Sequence, residues 1–439
     1  MRMAAAEMSD VEIPAQRLRL THVAAVAAGN GLEFFDFLIY ATFAIYIGRA
    51  YFPARDPTVS LLASLATFGI GFGTRPIGGL VIGLIGDRMG RRPAMLLSFS
   101  LMGVGALGLA ATPTFAQIGV AAPVLVILAR LVQGFALGGE VGPSTAFLIE
   151  AAGQRRRGLI GSMQSTSQGV ANLAASGVAV LLALALPQAA LAAWGWRLGF
   201  LAGLLIVPFG LLIRRSLPET APPRPLASER RAPVQIPWRV VALGVMMLAS
   251  GTINTYVATY MTTFAMDTMH LAAKAAFGVG VVNGALALVC VPIGGWLSDR
   301  YGRKRVAIPC LVVAALLLLP SLRFALDHPS ALALYAATAA VAIPSGLGSA
   351  AVLVAITESF PASMRCLAVG LVYAVAISVF GGTTQFMVAW LVHTTHEPMA
   401  PAYYRLTASL VGLTAFMLLP ESAPSRTSAL AAAPALAGA

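Results

Sequence analysis

Apolar residues run in long blocks along this chain, and polar residues gather in the short gaps between them. A helix that crosses the hydrocarbon layer needs about 20 mostly apolar residues. Blocks of that size occur at 22–48, 60–86, 94–113, 118–148, 158–186 and 196–213, then again at 238–264, 275–298, 306–324, 331–357, 366–392 and 403–419. The pattern predicts an all-α membrane protein, with twelve transmembrane helices in two pseudo-symmetric six-helix bundles, 22–213 and 238–419. Between them, 214–237 is rich in proline and arginine and reads as a cytoplasmic linker. Residues 1–21 form a polar cytoplasmic lead, and the Ala, Ser and Pro tail 420–439 is expected to be disordered.

Composition agrees: 58% of residues are hydrophobic and 10% are charged, with a mean hydropathy of +0.82, against roughly a quarter charged in a soluble domain. The net charge of +12 lies in the gaps, without the basic face and interleaved aromatics of a nucleic-acid binder. Alternate gaps carry the arginines, which predicts a multi-pass protein of the cytoplasmic (inner) membrane with both termini inside. The first block is too long for a signal-peptide core and is expected to remain as a helix. Cys290, Cys310 and Cys366 fall in or beside apolar blocks without metal-like spacing, so they read as packing thiols. No metal and no cofactor is expected.

The gap after the second block reads Gly83 to Arg92, GLIGDRMGRR, and the gap after the eighth reads Gly295 to Lys304, GWLSDRYGRK. Asp87 and Asp299 thus repeat at an offset of 212 residues. Glu150 and Arg157 recur as Glu358 and Arg365, and Arg197 as Arg405, at an offset of 208. Matches at nearly one offset indicate a duplicated bundle. Two parallel repeats suit a carrier that rocks one half against the other around a midplane site. An aspartate at a helix end, a glycine turn and arginines can bond to helix termini or a neighbouring acid and release them on opening. The expected cytoplasmic gate is Asp87, Arg88, Arg91, Arg92, Glu150, Asp299, Arg300, Arg303, Glu358 and Arg365.

The loop signature resembles that of the major facilitator superfamily. GNGLEFFDFLIY (29–40), GFGTRPIGG (71–79), RLVQGFALGGEVG (130–142) and WGWRLGF (194–200) further resemble its metabolite:proton symporter family. The resemblance implies a proton-coupled importer of citrate, 2-oxoglutarate, shikimate, proline or betaine that acts as a monomer in the lipid bilayer.

Ionisable groups deep in a bilayer cost about 3 kcal/mol each even on a gentle scale. Asn30, Glu33, Asp36, Phe37 and Tyr40 fall within one 120° sector of the first helix, a polar stripe expected to face the bundle interior. Asp36 or Glu33 is the candidate proton carrier; a fixed ion pair with Arg75 or Arg130 is the competing reading. Arg75 and Arg130 lie within spans, and at least one is expected to grip a carboxylate. Gln133 and Glu140 share the side of Arg130, with Glu140 a gate or proton relay. Gly134, Gly138 and Gly142 form a packing stripe. Gln164, Gln168 and Asn172 share one face of the fifth helix and suggest a wet cavity, with helix-to-helix hydrogen bonds as the alternative. Asn254, Tyr256, Tyr260 and Asn283 are weaker candidates for the opposite wall. The five histidines read as surface residues.

The sequence carries no HExxH, GxSxG or P-loop, and no filter-like segment, which argues against an enzyme and a channel. The expected function is proton-coupled import of a small organic acid, citrate or another tri- or dicarboxylate. A symporter for a zwitterion or hydroxy acid is the alternative; the osmosensing members of the family that this chain resembles carry a long C-terminal coiled coil, and its lack in this tail lowers proline and betaine.

Overall fold

The structure, a computed structural model, describes residues 20–89, 91–138, 156–204, 237–360 and 365–422, together with Leu148, Ala152 and Pro208. In the first half the helices are α1 (Leu20–Thr42), α2 (Ala44–Tyr51), α3 (Pro57–Gly73), α4 (Arg75–Met89), α5 (Arg91–Ala111), α6 (Phe115–Ile118), α7 (Ala121–Leu137) and α8 (Arg157–Ala185). A short α9 (Gln188–Ala190) passes through a π turn, Leu191–Gly195, into α10 (197–204). The second half has α11 (Trp238–Asp267), α12 (Ala273–Tyr301), α13 (Arg303–Asp327), α14 (Ala331–Glu358), α15 (Arg365–Ala376), a π turn at Ile377–Gly381, α16 (Gly382–Thr395) and α17 (Ala400–Leu418). The described part of each expected span is largely helical, with turns at Phe43, Thr74 and 119–120. The linker, most of the tail and the ends of the fourth and sixth spans lie outside the described residues.

The helix ends follow local chemistry. Asp56 accepts the Thr58 amide at 2.8 Å ahead of Pro57, and Ser330 accepts the Ala333 amide at 3.2 Å. Those Thr58 bonds hold the exposed Asp56 carboxyl below its ordinary range. Gly302 separates α12 from α13 at φ 104°, a backbone that side chains avoid. The first span is broken rather than continuous: its two parts meet at 64° around Phe43. Just before the bend, Thr42 Oγ1 donates to the Leu38 carbonyl at 2.9 Å, back-bonding that tends to bend helices.

Large apolar side chains cover the outside, including Leu332 (77% exposed), Leu316 (70%) and Leu80 (65%). Such a surface is a liability in water and ordinary against lipid. Inside, Trp196, Tyr40, Tyr51, Phe37, Phe68 and Phe72 are fully buried.

Two antiparallel helix pairs join the bundles. Gly158, Gly169 and Leu173 of α8 lie against Gly295, Ala287 and Gly284 of α12, with the glycines allowing the close approach. Gly69 of α3 meets Gly382 of α16 in the same way. A shift of 212 residues carries α12 back onto α3–α4, and a shift of 208 carries α8 forward onto α15–α16. The duplication therefore generates both seams at once. They are clasped at opposite ends. At one, Asp299 of α12 accepts the Gly158 and Leu159 amides of α8; at the other, the His393 ring on α16 lies 3.4 Å from Thr58 Oγ1 on α3.

Candidate functional site: a buried charge chain beside a polar cavity

Two features occupy the middle of the molecule. The first is a charge chain inside the N-terminal bundle. Arg130 of α7 is fully buried, and its Nη1 donates to Gln133 Oε1 at 2.7 Å, one helical turn away. Gln133 Nε2 donates in turn to Asp36 Oδ2 on α1. The amide thus passes the influence of a cation to a carboxylate on another helix. Asp36 Oδ1, Arg130 Nε and Arg130 Nη2 are enclosed without hydrogen-bond partners. Unsatisfied polar atoms in such a place are costly, which marks a polar group kept for a task.

Aromatic rings fill the space around the cations. The Arg130 guanidinium lies 4.2 Å from the Phe37 ring centroid and 4.5 Å from that of Tyr40; Arg75 lies 4.1 Å from that of Phe72 and 4.9 Å from that of Phe37. A ring face offers a desolvated cation some electrostatic compensation, about 2 kcal/mol in favourable cases. Arg75 opens α4 just after the break at Thr74, whose hydroxyl donates to Leu131 O at 2.9 Å, and it is flanked by Tyr256, Tyr373 and Glu33.

The second feature is a cavity of about 290 Å³ between the bundles. Its polar wall includes Gln168 and Asn172 on α8, Asn254 and Tyr256 on α11, Asn283 on α12 and Arg405 on α17. Tyr256 joins the two features: it lines the cavity, packs against Phe68 and Phe72 with centroids 5.8 and 5.4 Å away, and faces Arg75.

The candidate binding residues therefore divide. Gln168, Asn172 and Asn254 line the cavity. Arg75, Arg130, Gln133 and Tyr40 belong to the charge chain and its rings, with Tyr40 donating to the Ser64 carbonyl at 3.2 Å. Asn30 and Gln164 form a helix-to-helix clamp. Asn30 donates to Ser167 Oγ at 2.7 Å, and Gln164 Nε2 donates to Asn30 Oδ1 at 2.9 Å. Asp36 lies in the chain, Glu33 beside Arg75, and Glu140 outside the described residues.

Among the gate candidates, Arg303 ties Asp299 at 2.8 Å to Glu358 at 3.1 Å. Glu421 accepts the Arg303 and Lys304 amides at 3.1 Å each, and Ser422 Oγ donates to Glu358 at 2.8 Å. Arg300 is exposed and lies near the Tyr301 ring, and Arg88 is exposed. The side chains of Asp87, Arg91, Arg92, Glu150 and Arg365 lie outside the described residues.

Two residues have roles that sequence reasoning missed. Arg405, visible there only as the repeat of Arg197, faces the cavity; its position at the edge of the last apolar block disguised its depth. His393, read as a surface residue, has Nε2 2.9 Å from Asp267 Oδ2. Among the described residues no cluster of His, Cys, Asp or Glu could hold a metal ion.

The sequence matches the pattern of the sugar (and other) transporter family over residues 21–235 and that of the major facilitator superfamily over 279–438. A citrate-proton symporter of Klebsiella pneumoniae is 36% identical, over 90% of this chain and 91% of that protein. The alpha-ketoglutarate permease of Escherichia coli (strain K12) is 32% identical, over 92% and 94%. The fold is also similar to that of a xylose transporter from E. coli in a partially occluded, inward-open conformation. The TM-score is 0.74 at 14% identity, covering 92% of this chain and 98% of the other. This chain is thus a transporter rather than an enzyme, and it belongs to the major facilitator superfamily and, within it, to the metabolite:proton symporters.

Proposed function

We propose that this protein imports a small organic acid, citrate or another tri- or dicarboxylate, together with protons, by alternating access across the cytoplasmic membrane. The Asp299 end then faces the cytoplasm, as the distribution of arginines in the gaps supports. The observation that carries the reading is the buried chain Asp36–Gln133–Arg130 set beside a polar, inter-bundle cavity. The substrate class is supported by the likeness to the citrate-proton symporter and the alpha-ketoglutarate permease.

In this mechanism Asp36 carries the proton. Protonation neutralises the carboxylate that Gln133 links to Arg130, and the charge balance of the N-terminal bundle changes by one unit. The anion enters the cavity, where Gln168 and Asn172 belong to one bundle and Asn254 to the other. A ligand that touches both walls favours the state in which they are close, so loading promotes closure. Release follows when the Asp299 clasp opens and the proton leaves.

The test is uptake of radiolabelled citrate into proteoliposomes under an imposed inward proton gradient, competed with 2-oxoglutarate, shikimate and betaine. Gradient-driven accumulation blocked by unlabelled citrate supports the reading. Asp36→Asn is expected to abolish accumulation while leaving exchange of internal for external substrate. Uptake blocked by betaine rather than by citrate would instead establish a zwitterion symporter.

A further inference from the structure

The charge chain leaves the cavity itself with one cation among the described residues that line it, Arg405. The residue sits about one turn into α17 and is half-buried. Its Nε donates to Asn254 Oδ1 at 2.8 Å. Asn254 is held in place by donating to the Ser250 carbonyl at 2.9 Å and to Ser409 Oγ at 3.1 Å. No carboxylate among the described residues pairs with the guanidinium. The side chain also borders a smaller void of about 50 Å³ that shares Asn283 with the cavity.

An arginine inside a membrane bundle without an acid is expensive, and such residues are kept where an anion visits. Tethering through Nε leaves the two terminal nitrogens as a planar fork, the arrangement that grips a carboxylate with two parallel hydrogen bonds. Arg75 and Arg130 are packed among rings in the opposite bundle and are absent from the cavity wall.

We propose that Arg405 is the carboxylate anchor of the cavity, oriented by Asn254. This deepens the organic-acid reading and rests on it. The anchor belongs to the C-terminal bundle, whereas Gln168 and Asn172 approach from the N-terminal one. One ligand therefore bridges the halves that must rock. Division of labour follows: the N-terminal bundle handles the proton and the C-terminal bundle holds the anion.

Isothermal titration of the purified full chain with citrate and with 2-oxoglutarate tests the assignment. Removing a charge-assisted pair is expected to weaken binding about 10- to 100-fold in Arg405→Gln. Arg405→Lys, which keeps the charge but loses the fork, falls between Gln and wild type. Asn254→Ala frees the fork from its tether and is expected to cost about 3- to 10-fold. If Arg405→Gln fails to fold, the Lys and Ala variants decide: unchanged affinity in both overturns the proposal. Wild type that binds either acid, with Arg405→Gln binding it equally well, overturns the anchor and leaves the organic-acid reading standing. Wild type that binds neither acid overturns both.

Discussion

Asp299 crosses the seam between the bundles and accepts the backbone N–H of Gly158 at 2.7 Å, on the first turn of a helix from the other half. Its second oxygen takes the Leu159 amide at 2.9 Å. A carboxylate here satisfies free donors at a helix N-terminus and meets the positive end of the helix dipole. Losing such a cap costs about 0.5–2 kcal/mol. Asp299→Ala is therefore expected to shift the conformational equilibrium several-fold towards opening at this end. Solvent accessibility of a cysteine placed on α8 near Leu159, in a background without other cysteines, reads the shift. Because the loop is duplicated, Asp87→Ala is expected to act in the same direction.

Arg303 joins Asp299 to Glu358 and is almost fully buried. Removal of the arginine takes the cation from two buried carboxylates, and breaking a buried pair of this kind costs about 3–5 kcal/mol. Arg303→Ala should lower the thermal midpoint in detergent more than Asp299→Ala does. A smaller effect would show that water already solvates the network.

Gln133 links Arg130 to Asp36 by hydrogen bonds, and it sits wholly inside the protein. Gln133→Ala deprives both of a partner at a cost of about 1–3 kcal/mol. The variant is expected to be less stable and to couple uptake to the proton gradient poorly, whereas Gln133→Glu introduces a competing acid beside Asp36. Uptake at equal and unequal pH across the vesicle separates coupling from transport.

Gly134 of α7 and Gly138 at its C-terminal cap let the backbones of Gly71 and Arg75 approach so closely that an added methyl group has no room. Gly134→Ala must push α7 away from α3, with a cost of about 1–3 kcal/mol from overpacking. Gly73 and Gly83 have open space where a Cβ would go. Alanine at either is expected to leave the thermal midpoint within a few degrees, about 1 kcal/mol or less. The three single variants, melted side by side, check the contrast.

His393 clasps the opposite end of the molecule, between Asp267 at 2.9 Å and Thr58 at 3.4 Å. His393→Ala removes both contacts at once. It is expected to loosen the α3–α16 seam at that end, so that a cysteine replacing Thr58 in the cysteine-free parent reacts faster with a membrane-impermeant thiol reagent. An unchanged rate would mean that Gly69 and Gly382 alone hold the seam.

Much of this protein was legible in the order of its residues. Apolar blocks of spanning length, arginines in alternate gaps and a loop repeated at 212 residues suffice for two duplicated helical bundles, because lipid permits few ways of satisfying the backbone. The polar stripe from Asn30 to Tyr40 and the amides of α8 were visible as well, since helical period alone puts them on common faces. Which partner each of those side chains meets depends on contacts between residues about a hundred or more apart in sequence, and period carries no such information. Asn30 spends its amide on Gln164 and Ser167 rather than on the cavity. Arg130 is hydrogen-bonded to Asp36 through Gln133, while rings of α1 and α3 pack over its guanidinium. Arg405 looked like a residue at the margin of a span and became the cation of the cavity because α17 packs against α11 beside Asn254. Hydrophobic pattern determined the helices and their membrane; the packing of one helix against another decided which buried charge faces a partner and which faces open space.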